Sequence, residues 1–285
     1  MSEIANYFLY RNAEGETGLS ANSIDDLNLD DLFAEIDYCH SSIGRQYLYY
    51  LLLSDKTSGM EKQEALLSSL ATHTGLRTLL SNTLKELDKP DAYSIVSILE
   101  NDNTGIGAKE MVLINICRFL PLLFLALMLL THSGVFLTLF VFSFVANAVL
   151  HYRNKAKIQR YFFSIPQLLK MIRQAGKLAQ NKEFVSVDPS ITNDLKAVEG
   201  LKKYISYFRF NLSLDNDMAI MFYMVAELIR VFFLHEAYAV GRTFHLLKEK
   251  ATAIHNVYRF IGFLDSILSL SLIHISEPTR PLYIS

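Results

Sequence analysis

Cysteine is scarce. Cys39 and Cys117 are the only two in 285 residues, one in a polar segment and one in an apolar segment, and neither has a partner at metal-binding or redox spacing. That excludes a disulfide framework and leaves unpaired thiols in a reducing compartment as the expectation. A basic field is also missing. The formal net charge is −2, the isoelectric point is near 6.4, and no run of Lys or Arg is dense, so charge lends no support to DNA binding. DNA binding is not excluded, because a multidomain protein can carry its basic surface elsewhere. No stretch is β-rich, and no repeat of fixed period is visible. The N-terminus, MSEIANYFLYRNAEGE, has acidic residues and no long apolar core, so it is not a secretory signal.

Apolar residues are plentiful, at 51% of the chain with a mean hydropathy of +0.21. They concentrate in 111–150 and, less densely, in 217–240. Met111–Leu130 and Val135–Leu150 are each near the length that spans a bilayer, and only the THSG connection separates them. Lys109 precedes the pair; Arg153, Lys155, Lys157 and Arg160 follow it. The basic flanks and uncharged turn predict a helical hairpin through a membrane, with both flanks cytoplasmic. The alternative is a pair of buried helices in a globular core. Arg118 and Pro121 favour that alternative, since a mid-membrane Arg is costly, although an Arg seven residues into the stretch can snorkel to the near interface.

The rest of the chain reads as helices. Residues 1–26 are a polar N-terminal tail, with Ser23 or Asp25 able to cap a short helix. Asp30–Tyr38 opens with acidic residues suited to a helix N-terminus. Ser41–Leu53 is amphipathic, with Ile43, Tyr47, Leu48, Leu51 and Leu52 apolar. Glu61–Thr72, Gly75–Leu87 and Asp91–Glu100 follow, with a stop at Lys89-Pro90, and Asn101–Gly107 is a loop. Beyond the hairpin come Gln167–Gln180, a turn at Asp188-Pro189-Ser190, and Ile191–Phe208. Asp217–Val240 is apolar but charged near its middle, which predicts a buried or interfacial helix and not a third span. Arg242–Leu268 is helical, with a stripe at Ile254, Val257, Phe260, Ile261, Leu264, Ile267 and Leu268. The fold class expected is all-α.

Residues 270–285 read differently. Leu270–Arg280, LSLIHISEPTR, resembles the translation of a transposase adapter used to prepare sequencing libraries. The closing Pro281-Leu282-Tyr283-Ile284-Ser285 has the phase that the adapter's downstream layout requires. The expectation is that natural sequence ends at about Ser269, so His274 and Glu277 enter no site argument.

Two segments carry a family resemblance. Leu27–Leu53, LNLDDLFAEIDYCHSSIGRQYLYYLLL, resembles the opening of the MutS core domain through Asp37, Ser41, Ser42, Gly44 and Arg45 followed by Leu48 and Leu51. The glycine suits one helix passing close to another. Ile254–Ser269, IHNVYRFIGFLDSILS, is similar to the helix that closes that core, through Asp265 and Ser269. The apolar pair between them resembles a MutS-related branch, common in Bacteroidetes, that carries membrane segments ahead of a MutS-type ATPase. The resemblance implies a MutS-like helical core in two parts, 27–108 and 151–269, interrupted by a transmembrane hairpin at 111–150. It also implies an ATPase domain beyond Ser269 that would bind ATP and Mg, dimerise, and serve a DNA mismatch repair-like role with mismatched DNA binding.

No site residue is assigned within the chain. No GxxxxGK[ST] loop is present; Gly105-Ile106-Gly107-Ala108-Lys109 lacks the spacing and the hydroxyl. Phe33-Ala34-Glu35 matches the letters of the mismatch-reading Phe-x-Glu, but it falls on a helix of the core opening. Cys39-His40 has no second ligand set, and His235-Glu236 lacks the second His of HExxH. Tyr47, Tyr49 and Tyr50 suit a core, and Glu227–Arg230 suits an intrahelical ion pair. This piece is then no enzyme. It is a membrane-anchored core fragment of a MutS-type ATPase, with DNA a possible partner; the alternative is a membrane-anchored helical scaffold without nucleotide or DNA role.

Overall fold

The computed structural model describes residues 2–15, 29–54, 60–99, 108–158, 164–201 and 232–276. Among them the chain is mostly helical, with no strand. The contacts divide it into two compact units. One comprises Met1–Glu100, Gln167–Gly200 and Lys250–Ser285; the other comprises Asn101–Pro166 and Leu201–Glu249.

The first unit begins with α1 (Ser2–Ala13), where sequence reading placed a polar tail. The helix is docked through Tyr7 and Phe8, both buried. Two apolar anchors in one turn are too few to raise a periodic signal, yet they suffice because a helix lies beneath them. After α2 (Leu29–Ile36) comes α3 (Ser42–Leu53), capped by Ser41, whose hydroxyl accepts from the Gly44 N–H. This cap satisfies one of the amides a helix start leaves unpaired. Next are α4 (Met60–Thr72), α5 (Thr74–Lys85), a 3-10 turn at Pro90–Ala92 and the short α6 (Ile95–Leu99). The single helix expected over Asp91–Glu100 is therefore broken. Proline at the start of the turn fixes the entry, and Tyr93 and Ser94 still bond three residues back, at 3.1 and 3.3 Å.

The second unit holds α7 (Ala108–Cys117), α8 (Leu120–Thr131) and α9 (Gly134–Ile158). The first apolar stretch is thus two helices, interrupted at Arg118-Phe119. Pro121 is the cause. It has no N–H to give the Cys117 carbonyl four residues earlier, and its ring crowds that turn. His132, at φ 49°, ends α8 in the left-handed conformation.

The first unit resumes at Gln167, within α10 (Ser164–Leu178), and continues through α11 (Lys182–Val187, capped by Asn181) and α12 (Ile191–Glu199). The end expected for the last, at Phe208, lies outside the described residues, as does 217–231. The second unit returns at Phe232. Leu234, at φ 47°, breaks the chain before α13 (His235–Glu249). A further break at Lys250 precedes α14 (Ala251–Ser276). The continuous helix expected over Arg242–Leu268 is therefore two, and 235–249 belongs to the second unit, where it packs against α7 and α9.

The centre of the first unit is α14. It contacts α3, α4, α5 and α12, while α1 packs on α3 and reaches α14 through Tyr7, whose ring lies 4.8 Å from that of Tyr258. Every residue of the predicted stripe, from Ile254 to Leu268, is buried.

Candidate functional site

Ser41, Gly44 and Arg45, read near the N-terminus, and Asp265 and Ser269, read near the C-terminal end, meet in one place. Asp265 is fully buried on α14. Its carboxylate accepts from the His40 N–H at 2.9 Å, the Ser41 N–H at 2.8 Å and the Ser41 hydroxyl at 2.6 Å. The carboxylate therefore sits at the N-terminus of α3, where free amides and the helix dipole favour a negative charge. Gly44 lies directly against it; a Cβ there would overlap the carboxylate. Glycine is required for close approach and not for an unusual backbone angle. Gly262 plays the reciprocal part on α14, where a Cβ would meet the Tyr47 Cβ at 2.5 Å.

Burial pushes the Asp265 carboxyl up to about 6, and the three hydrogen bonds oppose that rise. Around it, Ser269 accepts from the Tyr38 N–H at 2.8 Å and donates to the Ile36 carbonyl at 2.7 Å, closing the end of α2. Arg45 spans Asp37 at 3.3 Å and Asp88 at 2.9 Å. Ser42 donates to the Lys89 carbonyl at 2.9 Å. One turn further along, Gln46 joins three helices: it donates to the Glu3 carbonyl and accepts from the Tyr258 hydroxyl, each at 2.6 Å. Tyr7, Tyr47, Tyr50 and Tyr258 pack around it.

This constellation holds helices together. Asp265 has three donors and no exposed face, so it lacks the access that a general base needs. Cys39 is buried beside it, and burial, reinforced by Asp265 and Asp37, raises its thiol well above the ordinary range. A thiol so placed is inert. His40 is used through its backbone; its ring faces the Tyr38 carbonyl, and burial lowers its pKa. Among the described residues no three His, Cys, Asp or Glu side chains converge as a metal site would require.

The other sequence candidates resolve as follows. Phe33 is buried edge-on against Tyr49, with ring centres 5.4 Å apart, so the Phe-x-Glu letters mark a core residue. Tyr47, Tyr49 and Tyr50 are likewise buried. Gly105–Gly107, Glu227 and Arg230, and the side chains of His235 and Glu236, lie outside the described residues.

In the second unit, Lys109–Thr131 and Gly134–Arg153 are long and apolar enough to cross a membrane, with mean hydropathies of 2.3 and 1.9. Only 11% and 17% of these stretches are buried within the protein. Val112, Leu113, Leu123, Leu130, Val135, Phe142 and Val149 are exposed. Such apolar faces do not suit water. One face of α9 is different: Ser143, Asn147 and His151, four residues apart, are buried. The Asn147 amide donates to the Cys117 carbonyl at 3.2 Å and to the Phe232 carbonyl at 3.0 Å. It thus supplies the donor that Pro121 removed and bridges the break at Arg118-Phe119 to the one at Leu234. Sequence reading missed Asn147. A lone Asn in an uncharged stretch, paired with a proline in the preceding stretch, was the available signal.

Among the described residues the chain is mostly helical and without strands, and two of its stretches are long and apolar enough to cross a membrane. Compared with family models, with curated proteins and with solved structures, the chain matches none.

Proposed function

We propose that this chain is the membrane-anchored helical core of a MutS-type, nucleotide-driven DNA machine. The observation that carries the reading is the Gly44–Asp265 contact. The two segments that resemble the MutS core lie more than 200 residues apart in sequence, and two of their matching residues bond directly, Ser41 to Asp265; a third, Ser269, accepts from the Tyr38 N–H, next to the matching Asp37. A chance likeness of helical composition gives no reason for those positions to pair.

In this reading the core is a lever. Ala251–Ser269 is about 28 Å of rigid helix, seated on α3 by a buried charge and two close helix approaches. Motion of a following ATPase domain would pass along it as rigid-body movement. The chain itself supplies no catalytic residue. ATP and Mg bind in the domain after Ser269, which also forms the homodimer, and the hairpin holds the assembly to the inner membrane with both flanks in the cytoplasm. The Phe-x-Glu wedge does not carry over, so DNA contact falls to other parts of the intact protein.

The test is to express the protein together with the sequence that follows Ser269 in its genome. The reading expects Mg-dependent ATP binding in a membrane fraction that resists carbonate extraction. A protein that stays in the membrane and binds no nucleotide would leave only an anchored scaffold.

A further inference from the structure

We propose that Arg118 binds the phosphate of a membrane phospholipid, an inference that rests on the hairpin lying in a bilayer. Arg118 sits at the break between α7 and α8, inside the stretch Lys109–Thr131. Its guanidinium lies over the Phe119 ring at 4.5 Å and the Tyr238 ring at 4.6 Å. Both rings attract the charge of the cation, and an aromatic face does so without accepting a directed hydrogen bond. Among the described residues, none of its five side-chain N–H donors meets an acceptor, and no carboxylate pairs with it.

The surroundings supply no substitute. Arg118 is half-buried, and the surface beside it carries Val112, Leu113, Ile116, Leu122 and Leu123, all exposed and apolar. On a lipid-facing surface the available anion is the phosphodiester of a phospholipid. Reach agrees. Arg118 is nine residues, about 13 Å of helix rise, from Lys109, a depth an arginine partly recovers by snorkelling. The guanidinium fork matches two phosphate oxygens, a geometry lysine cannot reproduce. The rings would thus preorganise the cation and the lipid would complete it.

The experiment uses the full chain, purified in detergent, stripped of lipid and titrated with short-chain phosphatidylglycerol under native mass spectrometry. Diacylglycerol of the same chain length and inorganic phosphate serve as competitors. The wild type should bind phosphatidylglycerol, with diacylglycerol failing to displace it. Arg118→Gln should weaken binding at least tenfold, Arg118→Lys less, and Tyr238→Leu should weaken it while leaving the charge in place. Displacement by millimolar phosphate alone would overturn a lipid site in favour of a free-anion site, and equal lipid binding by Arg118→Gln and wild type would overturn the proposal outright. Carbonate extraction of the same proteins separates the two layers of inference. Retention of both in the pellet confines any such failure to the Arg118 site, whereas release of the wild type would overturn the membrane reading and the site with it.

Discussion

Gly44→Ala is the substitution that most sharply probes the clamp. The added methyl would occupy the space of the Asp265 carboxylate. Either α3 and α14 separate or the carboxylate turns away from its three donors. Overpacking of this kind costs about 1–3 kcal/mol. Losing one or two hydrogen bonds to a buried charge adds about 1.5–3 kcal/mol each. The sum, roughly 2.5–9 kcal/mol, is a large part of the 5–15 kcal/mol or so that a domain has in total. Gly176→Ala is the opposing control. Gly176 lies inside α10 with nothing within 4 Å of an added Cβ, so alanine should stabilise by about 0.5–1 kcal/mol. The assay is urea unfolding of the full chain in mild detergent, followed by near-ultraviolet circular dichroism. With no tryptophan in the sequence, tyrosines, including the buried Tyr7, Tyr47, Tyr50 and Tyr258 of this unit, dominate that signal. The Asp265→Ala background completes the cycle: with the carboxylate gone, Gly44→Ala should cost little, a coupling of at least about 2 kcal/mol. Equal effects of Gly44→Ala in both backgrounds would refute the clamp.

Three further predictions follow from the same geometry. The Asp265 carboxyl titrates near 6 when folded against 3.8 when free, so the native state binds the proton more tightly; its contribution to stability should fall as pH rises from about 4 to 6 and level off above, by about 3 kcal/mol in all. Unfolding midpoints of wild type and Asp265→Asn across that range should diverge accordingly, and a pH-independent difference would contradict the shift. Asn147→Leu should strand the Cys117 and Phe232 carbonyls at a cost of about 1–3 kcal/mol each, lowering the melting temperature in detergent, whereas Phe142→Ala, on the exposed face, should change it little. A cysteine placed at Thr131 should react with an impermeant maleimide on intact cells and one at Arg153 should not; the reverse pattern would invert the topology.

Legibility in the sequence tracked how local each signal was. The α14 stripe was readable because Ile254, Val257, Ile261, Leu264 and Leu268 repeat at helical spacing and all face one core. In α3 the apolar face was readable but its burial was underestimated. Gln46 is enclosed as well, because α1, read as tail, reaches it through the Glu3 carbonyl, and Gly44 is enclosed by Asp265 of α14. The clamp residues were picked out one by one, yet nothing local says that Asp265 accepts from Ser41, since partners more than 200 residues apart leave no periodic trace. The breaks divide by cause. Pro121 announces the one at Arg118-Phe119, whereas Leu234 takes a positive φ with no glycine or asparagine to mark it, and the turn at Lys250 is equally silent. Asn147 gains meaning only after the carbonyls freed at two of these breaks are placed beside it.

The central claim, that this is the anchored core of a MutS-type ATPase, is tested most directly by recovering the genomic DNA downstream of the Ser269 codon with long reads. The account predicts an open frame that continues into a GxxxxGK[ST] loop within roughly 100 residues. A stop codon, or a frame that continues without that loop, would contradict it.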